Sequence, residues 1–125
     1  MKDPVSRARD LIHDDVVRFQ ATLEETLKPQ ADYLTETEYE TYRRGKKLRP
    51  ILLMLAARMV LPDGVAELPE KVIKAAVSLE MLHVATLIHD DIVDVAPTRR
   101  GLQTVYSERG TEMAVLLGDM QFIQA

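Results

Sequence analysis

From Pro69 to about Val95 the chain carries no internal glycine or proline, and apolar residues occupy most of the circumference that a helix over this stretch would present. A helix apolar nearly all round has to be enclosed by other elements. The rest of the chain therefore reads as what encloses it. Apolar residues recur at spacings of three and four, with no strand signal, so the predicted fold class is all-α over residues 1–125. A first helix is predicted from Pro4 to Leu27, with Val5, Ala8, Leu11, Ile12, Asp15/Val16, Phe19 and Leu23 as its stripe and Pro29 marking its end. A short segment precedes Gly45. "RPILLMLAARMV" predicts a buried helix with Pro50 in its first turn, where the missing N–H costs nothing. Pro97 and Gly101 break the chain, and a last helix starts near Thr111. That helix is still running at Ala125 without a capping signal, so more chain is expected beyond it.

Composition excludes several classes. The longest uninterrupted apolar run, Ile51 to Ala57, has seven residues, far short of the roughly 20 that span a bilayer, so no transmembrane segment is expected. The mixed charges of "MKDPVSRARDLIHDD" are unlike a signal peptide and suggest a cytoplasmic location. No cysteine means no thiolate metal site or thiol nucleophile, and a net charge of -4 argues against nucleic acid as a partner. Five of the sixteen basic residues nevertheless crowd into "YRRGKKLRP", and two more into "PTRRG".

"LIHDD" occurs twice, at Leu11 to Asp15 and at Leu87 to Asp91. In the first copy Asp14 is followed four residues later by Arg18, which predicts an i,i+4 pair on a solvated helix face, with His13 at the surface. In the second copy the matching position is Asp94, so Asp90 and Asp94 lie on one face about a turn apart and repel each other, with Asp91 offset. Such a pair at the end of the most apolar helix needs cations. Hard oxygen ligands at this spacing suit Mg²⁺, which takes one or two carboxylates plus waters and substrate phosphates. His83, seven residues before Asp90, lies within about 20° of Asp90 and of Asp94 around a helix. His89, beside Asp90, reads as structural or as a support behind that carboxylate, and the methionines as core.

The stretch "HVATLIHDDIVDVAPTRRG", with "RGKKLRP" about forty residues upstream, resembles the trans-isoprenyl diphosphate synthase (polyprenyl synthetase) family. That family writes its first aspartate-rich motif DDxxD, followed by RRG and preceded by GKxxRP and a histidine. The matching residues are Asp90, Asp91 and Asp94; Arg99, Arg100 and Gly101; Gly45, Lys46, Arg49 and Pro50; and His83. "AVLLGD", Ala114 to Asp119, resembles the family's GD segment.

The resemblance implies that an allylic diphosphate ionises, that isopentenyl diphosphate attacks the cation, and that a proton leaves. Asp90, Asp91 and Asp94 would be the catalytic carboxylates, with Asp90 and Asp94 holding Mg²⁺ on the allylic diphosphate and Asp91 as a neighbouring ligand or support. Arg99 would touch that diphosphate, and Lys46, Arg49, His83 and Arg100 would bind isopentenyl diphosphate without a metal. Met81, Ala85 and Thr86, with Val84 nearby, would line the tunnel for the growing chain. No Phe or Tyr stands there, which resembles the medium- and long-chain members and implies a product longer than farnesyl.

Residues 1–125 would then be the N-terminal half of such a synthase domain and of its helical bundle, with the first aspartate-rich motif present and the second absent. Alone the chain is expected to be inactive. A complementary subunit carrying the second motif is the expected partner, forming a heteromer. The alternatives are a non-catalytic regulatory or interaction subunit and an inactive truncated fragment.

Overall fold

A computed structural model describes residues 3–125, which form seven α-helices and a two-stranded hairpin among the described residues. The helices are α1 (Pro4–Leu11), α2 (His13–Leu27), α3 (Glu36–Arg43), α4 (Leu48–Val60), α5 (Glu70–Val93), α6 (Val105–Arg109) and α7 (Thr111–Gln124). A short 3₁₀ turn, Lys28–Gln30, follows α2. The chain forms two compact units, one from residues up to Gln30 with Lys46–Glu80, the other from Ala31–Gly45 with Met81–Ala125. The all-helical class and the limits of α5 and α7 agree with the sequence pattern to within about two residues.

In the first unit Asp3 caps α1, its carboxylate accepting from the backbone N–H of Val5 and Ser6, with Pro4 at the first helical position. The single helix expected from Pro4 to Leu27 is in fact two, because Ile12 (φ -119, ψ 36) leaves the helical region. Neither Gly nor Pro causes this break. It turns Leu11 out, 81% exposed, while Ile12, Val16, Phe19, Leu23 and Leu27 form the buried stripe of α2. Full burial of a side chain such as Phe19 or Leu27 contributes about 2 kcal/mol, enough to fix the register of α2 at the expense of one helical hydrogen bond.

Helix α4 carries Pro50 in its first turn as expected, but it is not buried all round. Pro50, Ile51 and Met54 are buried, whereas Leu52, Met59 and Val60 are exposed. An apolar circumference is enclosed only where other elements cover every side, and here one face of α4 lies open.

Helix α5 is the one element among the described residues long and apolar enough to cross a bilayer by length and composition. A count of uninterrupted apolar residues overlooks it because Lys74, Glu80 and Asp90 punctuate it. Its Ile73, Ala76, Val77, Met81, Val84 and Ala85 are buried in protein, as a core helix requires.

In the second unit Thr35 opens α3 with a capping box, accepting from the backbone N–H of Glu38 while the Glu38 carboxylate accepts from the backbone N–H of Thr35. Glu38 is itself buried and also receives Arg109 at 2.8 Å. Tyr42 donates its hydroxyl hydrogen to the buried side-chain oxygen of Gln121, tying α3 to α7. The hairpin was not expected. Thr98 pairs with Gln103 and Arg99 with Leu102, antiparallel, across the two-residue turn Arg100–Gly101. Both turn residues have positive φ, 52 and 78, the combination that joins strands of natural twist most tightly.

Candidate functional site

The second "LIHDD" ends α5, and the structure treats its three carboxylates differently. Asp90 and Asp94 are exposed, one turn apart, with the Asp94 N–H donating to the Asp90 carbonyl at 2.8 Å. Asp91 is 5% exposed and receives Arg99 through two nitrogens, Nη2 at 2.7 Å and Nε at 3.1 Å. Those hydrogen bonds, and the charges of Asp91, Asp90 and Asp94, hold the Arg99 guanidinium pKa above its usual value, against the desolvation that would lower it. The hairpin's first strand, Thr98–Arg99, delivers Arg99 to this position, and the Arg100–Gly101 turn projects Arg100 beyond it.

Arg100 meets the start of the other basic motif. Its guanidinium lies where a side chain on Gly45 would stand, and the Arg44 Nη1 donates to its carbonyl at 3.1 Å. Gly45 has φ 94, so it supplies both the open space and a backbone conformation that side chains disfavour. Arg44 was not singled out from sequence. The signal was present in the doubled arginine before Gly45, but nothing in a spacing says which arginine faces which motif.

In the first unit, Lys46 and Arg49 are exposed at the start of α4, and the Lys46 carbonyl accepts from Arg9 at 2.6 Å. Lys47 between them is different. It adopts the left-handed conformation (φ 56), is 8% exposed, and its ammonium lies 3.7 Å from the buried Glu80 carboxylate. Sequence reasoning missed this pair, although a lone glutamate inside the most apolar helix signals a buried partner.

His83 is half-buried on the second unit's part of α5, and its carbonyl accepts from the Thr86 hydroxyl at 2.6 Å. Of the three tunnel candidates, Met81 and Ala85 are fully buried and Thr86 is exposed. Helical rotation places Thr86 about 40° from Asp90, Ala85 about 140° away and Met81 opposite. Only Thr86 shares the carboxylate face.

The first "LIHDD" departs from its expected solvated face in one respect. Asp14 and His13 are exposed, but Asp15 is 3% exposed and is held by Arg58, Nη2 at 2.8 Å and Nε at 2.9 Å. Arg18 donates to the Leu68 carbonyl at 2.9 Å instead of pairing with Asp14 in the predicted way. A surface depression borders this copy, yet Arg58 there is engaged by Asp15 and the carbonyls of Val65 and Ala66. Nothing in it points to chemistry.

Among the described residues no three His, Asp or Glu side chains converge as a metal cage. With Asp91 withdrawn onto Arg99, Asp90 and Asp94 remain as two exposed carboxylates on one turn. That donor set fits an ion whose other ligands are water and phosphate, the preference of Mg²⁺, and not a site built from protein alone.

The sequence model of the Polyprenyl synthetase family matches residues 30–125. Solanesyl-diphosphate synthase 2, chloroplastic, of Oryza sativa subsp. japonica is 33% identical over 97% of this chain and 30% of its own length. Heptaprenyl diphosphate synthase component 2 of Geobacillus stearothermophilus is 32% identical over 91% of this chain and 34% of its own. Among solved structures, a polyprenyl synthase from Caulobacter crescentus, complexed with calcium and isoprenyl diphosphate, superposes with a TM-score of 0.77 at 27% identity, covering 99% of this chain and 37% of that one. The helical arrangement is thus that of the isoprenoid synthases, and the portion expected to be a half is about a third of the relatives' length. The extent of the family match, with relatives above 30% identity along nearly the whole chain, shows that this chain belongs to the polyprenyl synthetase family.

Proposed function

We propose that this chain is the diphosphate-gripping portion of a trans-prenyltransferase, which joins an allylic diphosphate to isopentenyl diphosphate and makes a product longer than farnesyl. The observation that carries the reading is the division of the three aspartates: Asp91 buried on Arg99, Asp90 and Asp94 exposed together. The first "LIHDD" also buries its second aspartate and exposes its first, and what sets this copy apart is the further exposed carboxylate, Asp94, one turn past Asp90. Mg²⁺ held by Asp90 and Asp94 would neutralise the departing diphosphate and so favour rupture of the allylic C–O bond.

The chain's own residues have separable tasks. Asp91 fixes the direction of Arg99, whose remaining N–H groups would be left for a diphosphate oxygen. Arg100, set out on its turn in the second unit, is a cation that can bind diphosphate by charge alone, and so are Lys46 and Arg49, set out at the start of α4 in the first. Lys47 keeps their loop in shape through Glu80. His83 shares the carboxylate face and is a further group for isopentenyl diphosphate, and Thr86 stands where the first isoprene units of the product would pass.

A complement is part of the proposal. Exposed apolar residues on α4 (Met59, Val60) and on α7 (Leu116, Ile123) are surfaces that water does not favour. A relative of comparable match is named as one component of a heptaprenyl diphosphate synthase, which supports a heteromeric enzyme here. The test is prenyl transfer from labelled isopentenyl diphosphate with Mg²⁺, using the chain alone and the chain co-expressed with a protein bearing a second aspartate-rich motif. Product only in the complemented sample supports the reading. A folded complex that binds allylic diphosphate but forms no product would instead make the chain a non-catalytic subunit.

A further inference from the structure

His89 precedes Asp90 on α5 and has no part in the roles above. Its ring is half-buried, and Nε2 lies 3.2 Å from the Val115 carbonyl on α7. A carbonyl only accepts, so Nε2 carries the proton in this bond. The ring also leans on Phe122, centroids 5.5 Å apart, with Asp119 3.5 Å from Nε2. The ring has room because residue 118 is glycine: a Cβ there would overlap Nε2, Cδ2 and Cε1. Glycine inside a helix is unfavourable relative to alanine, and Gly118 has no need of unusual backbone angles, so the space itself accounts for it.

We propose that His89, seated in the notch at Gly118, is a positioning residue that fixes the rotation of the carboxylate-bearing end of α5 against α7 and thereby aims Asp90 and Asp94. The role in aiming rests on the diphosphate reading above; the seat itself rests on the geometry. Asp90 is flanked by two tethered neighbours, His89 on Val115 and Asp91 on Arg99. Their side chains leave the helix about 200° apart, so together they resist rotation in either sense. Past them Val93 is 80% exposed, and Val95 is 63% exposed in a left-handed conformation, so few side-chain contacts hold the helix end beyond Asp91. The glycine of "AVLLGD" thereby acquires a physical reason: it receives the residue before the first aspartate.

The test compares His89→Ala, His89→Gln and Gly118→Ala with the parent chain by two readouts. One is amide hydrogen exchange over residues 90–94. The other is calorimetric binding of inorganic diphosphate with Mg²⁺. His89→Ala and Gly118→Ala are expected to speed exchange in that window and weaken binding about tenfold, the low end of what losing a ligand's support costs because His89 acts through the helix, with circular dichroism unchanged. His89→Gln keeps an N–H donor and is expected to stay nearer the parent in both. Unchanged exchange in His89→Ala overturns the seat, and unchanged binding in a variant with faster exchange overturns the aiming role. A parent chain that binds no diphosphate sinks the functional reading and the aiming role with it, while exchange still decides the seat.

Discussion

The guanidinium of Arg99 grips the buried carboxylate of Asp91 through two nitrogens, at 2.7 and 3.1 Å from one oxygen, eight residues apart in sequence. Arg58 holds Asp15 in the first "LIHDD" through the same two nitrogens, here one to each carboxylate oxygen, at 2.9 and 2.8 Å. In each copy the second aspartate is structural and the first is exposed. The copies part company four residues further on, where one has Arg18 and the other Asp94.

Removing either arginine should therefore destabilise, but only one removal should affect ligand binding. Arg99→Ala leaves a buried carboxylate without its charge-assisted bonds, a loss of about 2 kcal/mol given that Arg99 is partly exposed. Urea denaturation should show that loss, and calorimetry should show weaker diphosphate binding. Arg58→Ala should lower the denaturation midpoint while binding stays at the parent level.

Asp90→Ala should abolish Mg²⁺-dependent diphosphate binding, and Asp14→Ala should leave it intact. Equal effects in a titration with Mg²⁺ and inorganic diphosphate would remove the distinction between the two copies.

Gly45→Ala should cost about 1–2 kcal/mol, because the φ of 94 is unfavourable for alanine and the new methyl meets the Arg100 guanidinium. The guanidinium end is flexible and can move aside. Thermal denaturation measures the strain, and a crystal structure of the variant should show Arg100 displaced.

Tyr42→Phe removes the donor to Gln121, whose side chain is fully buried. The expected loss is about 1–2 kcal/mol at unchanged denaturant sensitivity, since the bond is internal to a closed core.

In a complemented enzyme, Thr86→Phe should shorten the product, because position 86 is exposed on the carboxylate face. Met81→Phe should overpack a filled interior instead, lowering stability by about 1–3 kcal/mol with little change in product length. Chromatography of the products separates the two outcomes.

Spacing alone was enough for much of this. The limits of α5 and α7, the proline in the first turn of α4, and the shared face of His83, Asp90 and Asp94 all follow from residues near one another in sequence, where helix geometry leaves little choice. The residue that separates the two "LIHDD" copies, Arg18 in one and Asp94 in the other, was legible too, but the pair expected between Asp14 and Arg18 gives way to a bond from Arg18 to the Leu68 carbonyl.

Tertiary packing decided the rest. The break at Ile12 falls at neither Gly nor Pro, and it leaves Leu11 exposed while Ile12 and the α2 stripe are buried. Asp91 reads only as a carboxylate offset from Asp90 and Asp94 until a hairpin, with positive φ at both turn residues, brings Arg99 onto it. The Lys47–Glu80 pair joins residues 33 positions apart, beyond any periodic pattern. Local spacing sets which side chains share a face. Only the folded chain determines which members of that face are taken out of water and paired, because desolvation and pairing depend on groups distant in sequence.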